Sequence, residues 1–193
     1  MLTVNSFARE VKIAMKALVI YDSFFGNTAQ IAEAIGKSLA TGADVEVKPV
    51  GDVSPAQLQI LQLLVIGSPT RGFRPTEAIQ SFIEQLPRET LNGLATAAFD
   101  TRISGQAIKS SIFRFIVSHG GYAADTIAKA LGKRGAEQLV LPEGFDVNGT
   151  EGPLAAGEYE RAGRWGRLIL NALKNVSAQQ FHQQLHVMPV EQE

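Results

Sequence analysis

Residues 17–28 of the chain are Ala-Leu-Val-Ile-Tyr-Asp-Ser-Phe-Phe-Gly-Asn-Thr. The first five are apolar without alternation, which is typical of a strand buried on both faces in the middle of a parallel sheet. From Asn27 to Ala40 apolar residues recur at helical spacing, and Gly42 follows as a stop signal. The stretch therefore predicts a central strand, a short loop and a helix.

The loop between this strand and this helix suits a single phosphate group. A helix N-terminus offers backbone N–H groups that have no partner inside the helix. Ser23 and Thr28 add hydroxyl donors, Gly26 permits a close backbone approach, and Asn27 can hold the turn. The loop contains neither the Gly-Lys-Ser/Thr motif nor the Gly-x-Gly-x-x-Gly motif of other nucleotide sites. The residues leave one alternative open, which is that Ser23 and Thr28 only cap the helix.

The alternation of strand and helix continues along the chain. Further strands are predicted at 45–47, 63–66, 94–99 and 139–141, and helices at 27–40, 76–86, 123–132 and 155–173. Five strands alternating with helices predict an α/β fold, in which a five-stranded parallel sheet has helices on both faces. We expect a peripheral N-terminal segment at 1–15, one domain at 16–174 and a flexible, Gln-rich tail at 175–193.

Composition excludes several classes of function. The formal net charge of the 193 residues is -1, and no basic block interrupts this balance, so neither nucleic acid nor a membrane surface is expected as a partner. The chain contains no cysteine, so redox chemistry would require a bound cofactor. The sequence shows no basic-then-apolar leader and no apolar run of about 20 residues, which leads us to expect a cytoplasmic protein.

Three stretches resemble one known family. The Ser-x-x-x-Asn-Thr spacing after an apolar strand ending in Tyr21 resembles the phosphate loop of flavodoxins. Residues 66–73 (Ile-Gly-Ser-Pro-Thr-Arg-Gly-Phe) and 100–103 (Asp-Thr-Arg-Ile) resemble the two loops with which this family contacts the flavin ring. The resemblance covers about residues 16–173. It implies a flavodoxin-like fold with strand order 2-1-3-4-5, and flavin mononucleotide (FMN) as the cofactor.

The resemblance also implies which residues bind the cofactor. They are Ser23, Phe24, Phe25, Gly26, Asn27 and Thr28 in the first loop, Ser68, Pro69, Thr70, Arg71, Gly72 and Phe73 in the second, and Asp100, Thr101, Arg102 and Ile103 in the third. Phe25 stands where many flavodoxins have a hydroxyl residue, so we expect weaker phosphate binding. The two ring loops contain no Trp or Tyr, which leaves Phe73 as the candidate for stacking on the flavin, with burial against the following helix as the alternative.

The expected flavin surroundings are basic, whereas electron-carrying flavodoxins are acidic there. Arg71, Arg74 and Arg102 lie in or next to the ring loops. Because reduced flavin is anionic, nearby guanidinium groups favour it, and our hypothesis is that flavin is reduced more easily here than in an acidic flavodoxin. In the alternative, the arginines are solvated or paired with Glu77 and Asp100 and have little effect.

Two other features invite a functional interpretation. An extra segment at about 104–121 could be a short helix that covers the flavin, or it could pack against the edge of the domain. His182 and His186 have a spacing that could share a metal ion on a helix, but no thiol or carboxylate lies near them in the Gln-rich tail, so we predict no metal site.

Three functions remain open at this point. The first is an FMN-dependent electron carrier, which needs no catalytic side chain and works with a redox partner protein or a small-molecule electron acceptor. The second is an enzyme, an NAD(P)H-dependent reductase of quinones or other small molecules. The third is a flavin-free interaction module. The sequence does not decide the oligomeric state, and a homo-oligomer remains open.

Overall fold

A computed structural model describes residues 15–103 and 121–187, with side chains up to Gln179. The strands are β1 (Lys16–Tyr21), β2 (Asp44–Pro49), β3 (Leu63–Pro69), β4 (Ala95–Ile103), β5 (Glu137–Gln138) and β6 (Glu143–Val147). The helices are α1 (Asn27–Leu39), α2 (Glu77–Gln85), α3 (Ala123–Gly132) and α4 (Glu158–Val187), and two short 3-10 helices lie at Val50–Asp52 and Pro55–Ile60. Within the described residues, strands and helices thus alternate as the sequence predicts.

The strands form one parallel sheet in the order β2-β1-β3-β4-β5, and β6 also pairs with β4. This confirms the α/β class and the strand order 2-1-3-4-5. The predicted fifth strand needs a correction, because two short strands share its place: β5 pairs with Ala95 and Thr96, and β6 pairs with the last five residues of β4. The described sheet therefore has six strands rather than five.

Residues 139–141, predicted as that fifth strand, form the break between β5 and β6. The Leu139 N–H still donates to the Thr96 carbonyl at 2.8 Å, but Leu141 is 79% exposed. Pro142 follows and has no N–H with which to continue the ladder. An apolar run suggests a buried strand, but here only its first residues, Leu139 and Val140, pack against the core.

The sheet has a hydrophobic core on each face. One core packs α1 and α4 against the sheet, and the other packs α2 and α3 against it. In the first core Phe99, Phe145 and Trp165 contact one another edge to face, with ring centroids 6.1–6.2 Å apart. Gly67 makes this packing possible, because a Cβ on it would lie only 2.0 Å from the Phe99 ring. Truncating Phe99 to alanine would cost roughly 3–5 kcal/mol.

The last helix extends beyond its predicted end at residue 173. It begins at Glu158 and continues to Val187, although the last buried side chain among those described, which end at Gln179, is Leu173. The apolar period ends where the packing ends, so the sequence gives no sign of the helical turns that follow.

The division into segments 1–15, 16–174 and 175–193 stays a prediction. The extra segment lies outside the described residues, apart from Gly121. In the part of the chain described, no helix is both long and apolar enough to cross a membrane.

Candidate functional site

Three loops meet at one edge of the sheet, because the carboxyl ends of parallel strands lie side by side. They follow β1, β3 and β4 and surround a cleft of about 240 Å³, here called the loop cleft. Its walls consist of Ser23, Phe24, Phe25, Asn27, Thr28, Pro69, Thr70, Arg71, Gly72, Thr101, Arg102, Ile103, Val147 and Thr150. The structure therefore brings together the three stretches that the sequence analysis selected.

Four of the predicted site residues do not line the loop cleft, namely Gly26, Ser68, Phe73 and Asp100. Two lining residues, Val147 and Thr150, were missed by the sequence analysis. β6 pairs in parallel with β4, so its carboxyl end at Val147 reaches the same edge of the sheet. The sequence analysis placed the fifth strand at 139–141, which ends before β6 begins. It therefore did not extend the strand to Val147, where the next loop joins the site.

The first loop leaves the N-terminus of α1 without a side-chain cap. Gly26 is the N-cap residue, with a φ of 82° that favours glycine, and no acidic residue lies in the first turn. The Thr28 hydroxyl pairs with the Thr101 hydroxyl at 2.8 Å, and the Ser23 hydroxyl has no partner in the described part of the chain. Neither hydroxyl caps the helix, which argues against the capping alternative.

The Ser23 hydroxyl is the clearest sign of a ligand. Its Oγ is buried, and among the described residues it is the one buried side-chain nitrogen or oxygen atom without a hydrogen-bond partner. Leaving a buried polar group unpaired costs about 1–3 kcal/mol, so such a group calls for an explanation. An anion between Ser23 and the uncapped start of α1 would accept from both. The residues present thus fit a phosphate group.

A fourth loop, after β6, is tied to the first one. The Asn27 amide donates to the Glu151 carbonyl at 2.9 Å, so it holds this neighbouring loop rather than its own turn. Gly152 makes the approach possible, because its φ is 106° and a Cβ on it would lie 2.5 Å from the Asn27 amide. The tie places Thr150 in the wall of the cleft.

The second loop contains a tight hairpin. Arg71 and Arg74 exchange backbone hydrogen bonds of 3.0 and 3.1 Å, and the two residues between them, Gly72 and Phe73, have φ values of 55° and 66°. Two central residues with positive φ are the mark of the type I′ turn. A phenylalanine pays about 1–2 kcal/mol for this conformation. Phe73 is half-buried and does not line the cleft, and its stacking on flavin stays a prediction.

Ser68 supports the second loop from behind. It is fully buried, its hydroxyl accepts from the Thr76 N–H at 2.9 Å, and it donates to the Pro69 carbonyl at 3.0 Å. Thr76 is the N-cap residue of α2. Ser68 therefore joins the end of β3 to the start of α2.

The third loop is organised by a buried ion pair. The Asp100 carboxylate, which is fully buried, accepts from Arg102 Nε at 2.5 Å, Arg102 Nη2 at 2.7 Å and the Ala124 N–H at 2.9 Å. Burial raises the pKa of Asp100, against the opposing effect of these hydrogen bonds. The Arg102 guanidinium also lies 3.5 Å from the centre of the Tyr122 ring. Asp100 and Tyr122 together thus fix the position of the Arg102 guanidinium.

The wall of the loop cleft carries positive charge that is only partly neutralised. Its wall contains two arginines, Arg71 and Arg102, and no carboxylate. Asp100 balances the charge of Arg102, which is the pairing that the sequence analysis offered as the alternative. Arg71 makes no ion pair with a carboxylate in the described residues, and its guanidinium lies 4.9 Å from the centre of the Phe24 ring. Arg74 does not line the cleft.

The described residues contain no cluster of three or more His, Asp or Glu side chains that could hold a metal ion. The side chains of His182 and His186 lie outside that part.

Several solved structures share this fold. A flavodoxin from the domain Archaea aligns with a TM-score of 0.63 and 23% identity, over 83% of this chain and 99% of that one. Flavodoxin 1 from Bacillus cereus gives 0.63 and 18%, over 81% and 97% of the two chains. The Flv1 flavodiiron core from Synechocystis sp. PCC6803 gives 0.61 and 18%, over 84% of this chain but 37% of the other.

A comparison with curated proteins finds no match. The family model described as Flavodoxin matches residues 19–184, which is most of the chain. This match includes the second half of β1, the three loops of the cleft and most of α4. By this match, and in agreement with its fold, the chain belongs to the flavodoxin family.

Proposed function

We propose that this protein binds FMN non-covalently in the loop cleft and transfers electrons through it. Proteins of the flavodoxin family bind flavin, usually FMN. The observation that carries the proposal is the Ser23 hydroxyl, which is buried without a partner in the described residues beside the uncapped N-terminus of α1. This is the arrangement expected of a phosphate site whose anion completes the hydrogen bonds.

The residues of the cleft would divide the binding between them. Ser23, Thr28 and the first N–H groups of α1 would hold the phosphate. Facing the ring would be Pro69, Thr70, Gly72 and the wall at 101–103. When bound, the flavin supplies the electron exchange, and the protein supplies binding and electrostatic tuning. No catalytic side chain is required. We expect the electrons to pass to a redox partner protein or a small acceptor, and we keep a cytoplasmic location as a prediction.

A second function, reduction of quinones or other small molecules with NAD(P)H, is supported by one observation. The cleft wall carries arginines and no carboxylate, so anionic groups can approach it without repulsion. In the carrier proposal the protein oxidises NAD(P)H slowly without a separate reductase, whereas the enzyme would turn over steadily with a quinone.

The cofactor proposal is tested on the purified full chain. FMN is added, the excess is removed by gel filtration, the visible spectrum is recorded, and any flavin released by acid is identified. A stoichiometric yellow complex that releases FMN is the expected result. A colourless protein would overturn the proposal and favour a flavin-free interaction module. The yellow complex is then mixed with NADH or NADPH and a quinone, to separate the carrier from the enzyme.

A further inference from the structure

We propose that Arg71 reaches from the second loop to the first and supplies a cation to the phosphate end of the site. Arg71 would thereby make the site prefer a flavin that carries phosphate over a neutral one. The inference rests on the proposed function, because it assigns a residue to the same site. It differs from the expectation that the arginines of this cleft act on the flavin ring.

The contact that carries the inference joins the two loops. The Arg71 guanidinium carbon lies 4.9 Å from the centre of the Phe24 ring, and Phe24 directly follows Ser23, whose buried hydroxyl marks the anion site. An arginine over an aromatic face gains a cation–π interaction and keeps its N–H groups free at the edge of the guanidinium plane. Phe24, 58% exposed, would thus serve as a platform for the cation.

The hairpin fixes the origin of this side chain. The pair of backbone hydrogen bonds between Arg71 and Arg74 closes a two-residue turn, so the backbone at Arg71 is held at the rim of the cleft. Thr70, the residue before it, donates its N–H to the Thr101 carbonyl at 2.8 Å and accepts from the Ala123 N–H at 3.0 Å. A cation attached to a fixed backbone loses less freedom when it binds an anion.

The charges single out Arg71 from the other arginine of the wall. Arg102 is balanced by Asp100, whereas Arg71 has no carboxylate partner in the described part of the chain. Phe25 offers no hydroxyl donor at the phosphate loop, while a guanidinium offers five N–H donors suited to phosphate oxygens. Arg71 would compensate for the donor that Phe25 lacks.

The test compares FMN with riboflavin, which carries the same ring without the phosphate. Dissociation constants of both are measured by flavin fluorescence on the flavin-free full chain for the wild type, Arg71→Gln and Arg74→Gln. Arg74 is the matched control, because it lies on the same hairpin, is exposed and does not line the cleft. We expect Arg71→Gln to raise the Kd of FMN about fivefold at low salt and that of riboflavin less than twofold. Arg74→Gln should change neither.

Other outcomes would overturn the inference. If Arg71→Gln weakens the binding of FMN and of riboflavin equally, or does not weaken the binding of FMN, then Arg71 does not act at the phosphate end. An unchanged FMN affinity with a lower reduction potential of the bound FMN would place Arg71 at the ring instead.

A second measurement separates this inference from the proposed function. If the wild type binds neither flavin, the proposed function fails, and the thermal unfolding midpoint is then compared with and without inorganic phosphate. A stabilisation of the wild type that is largely lost in Arg71→Gln and kept in Arg74→Gln would support an anion site that includes Arg71. Equal stabilisation of all three proteins, or none of the wild type, would overturn it.

Discussion

We expect the hydroxyl of Ser23 to destabilise the flavin-free protein and to strengthen the binding of FMN. Without a ligand it is a buried polar group with no partner in the described residues, and with a phosphate bound it gains one. We therefore expect Ser23→Ala to stabilise the flavin-free protein by about 1 kcal/mol and to raise the Kd of FMN roughly tenfold. Chemical denaturation measures the first effect and flavin fluorescence the second.

Thr28→Val serves as the comparison for this prediction. The Thr28 hydroxyl pairs with that of Thr101 in the flavin-free structure, so its loss should destabilise the flavin-free protein. If Ser23→Ala also destabilises the flavin-free protein, the Ser23 hydroxyl has a hydrogen-bond partner in solution and the prediction is wrong.

Single residues of the site could be chosen from the sequence, but their contacts could not. Asp100 and Arg102 were both expected at the flavin; in the structure they form an ion pair, Arg102 lines the cleft, and Asp100 is fully buried and does not line it. Residues i and i+2 of a strand point to the same side of the sheet, so a pair between positions 100 and 102 was compatible with a strand there. Whether a charge turns inward depends on what packs over it, here Tyr122 and the start of α3, and these lie far along the chain.

At the scale of elements, an ion-pair cluster joins the start of α4 to β6. Arg161 on α4 pairs with Glu158 and Glu143, and its guanidinium lies 4.5 Å from the centre of the Phe145 ring. Burial tends to raise the pKa of Glu158, but hydrogen bonds from Arg161 and the Asp146 N–H lower it below its usual value. The carboxylates in turn raise the pKa of Arg161.

This cluster predicts a pH-dependent stability. Because the folded-state pKa of Glu158 is lowered, its contribution is present above the unfolded value near 4.5 and is lost as the pH falls through the folded value. We expect Glu158→Gln to lower the free energy of unfolding by up to about 1 kcal/mol at pH 7 and by less at pH 3. Glu160→Gln, exposed in the same turn, is the control and should show no such trend. A difference independent of pH would contradict the assignment.

At the scale of the whole molecule, the burial pattern predicts where the folded unit ends. Among the side chains described, Leu173 is the last buried one, so we expect a chain ending at Lys174 to keep its core. We expect its unfolding midpoint to lie within about 3 °C of the full chain, measured by circular dichroism. A chain ending at Leu168 would lose Ile169, Leu170 and Leu173 from the core and should not fold cooperatively. A large loss of stability in the first variant would place the boundary further along α4.

The overall architecture could be predicted because it depends on strong local patterns. Residues 17–21 and 63–66 are apolar throughout, and the structure buries both runs in the centre of the sheet except for Tyr21, which is half-buried. The edge of the sheet and the end of α4 could not be predicted in the same way. At the edge, pairing with β4 and the position of Pro142 decide the structure, and neither leaves a periodic signal.

The break between β5 and β6 also affects how two molecules would meet. A long, flat edge strand is a template on which another chain can add a strand. On this side the edge is divided into segments of two and five residues, and on the other side β2 carries Glu46 and Lys48 and ends in Pro49. Both edges are therefore poor templates for strand addition, which protects a sheet with so apolar a centre against edge-to-edge aggregation.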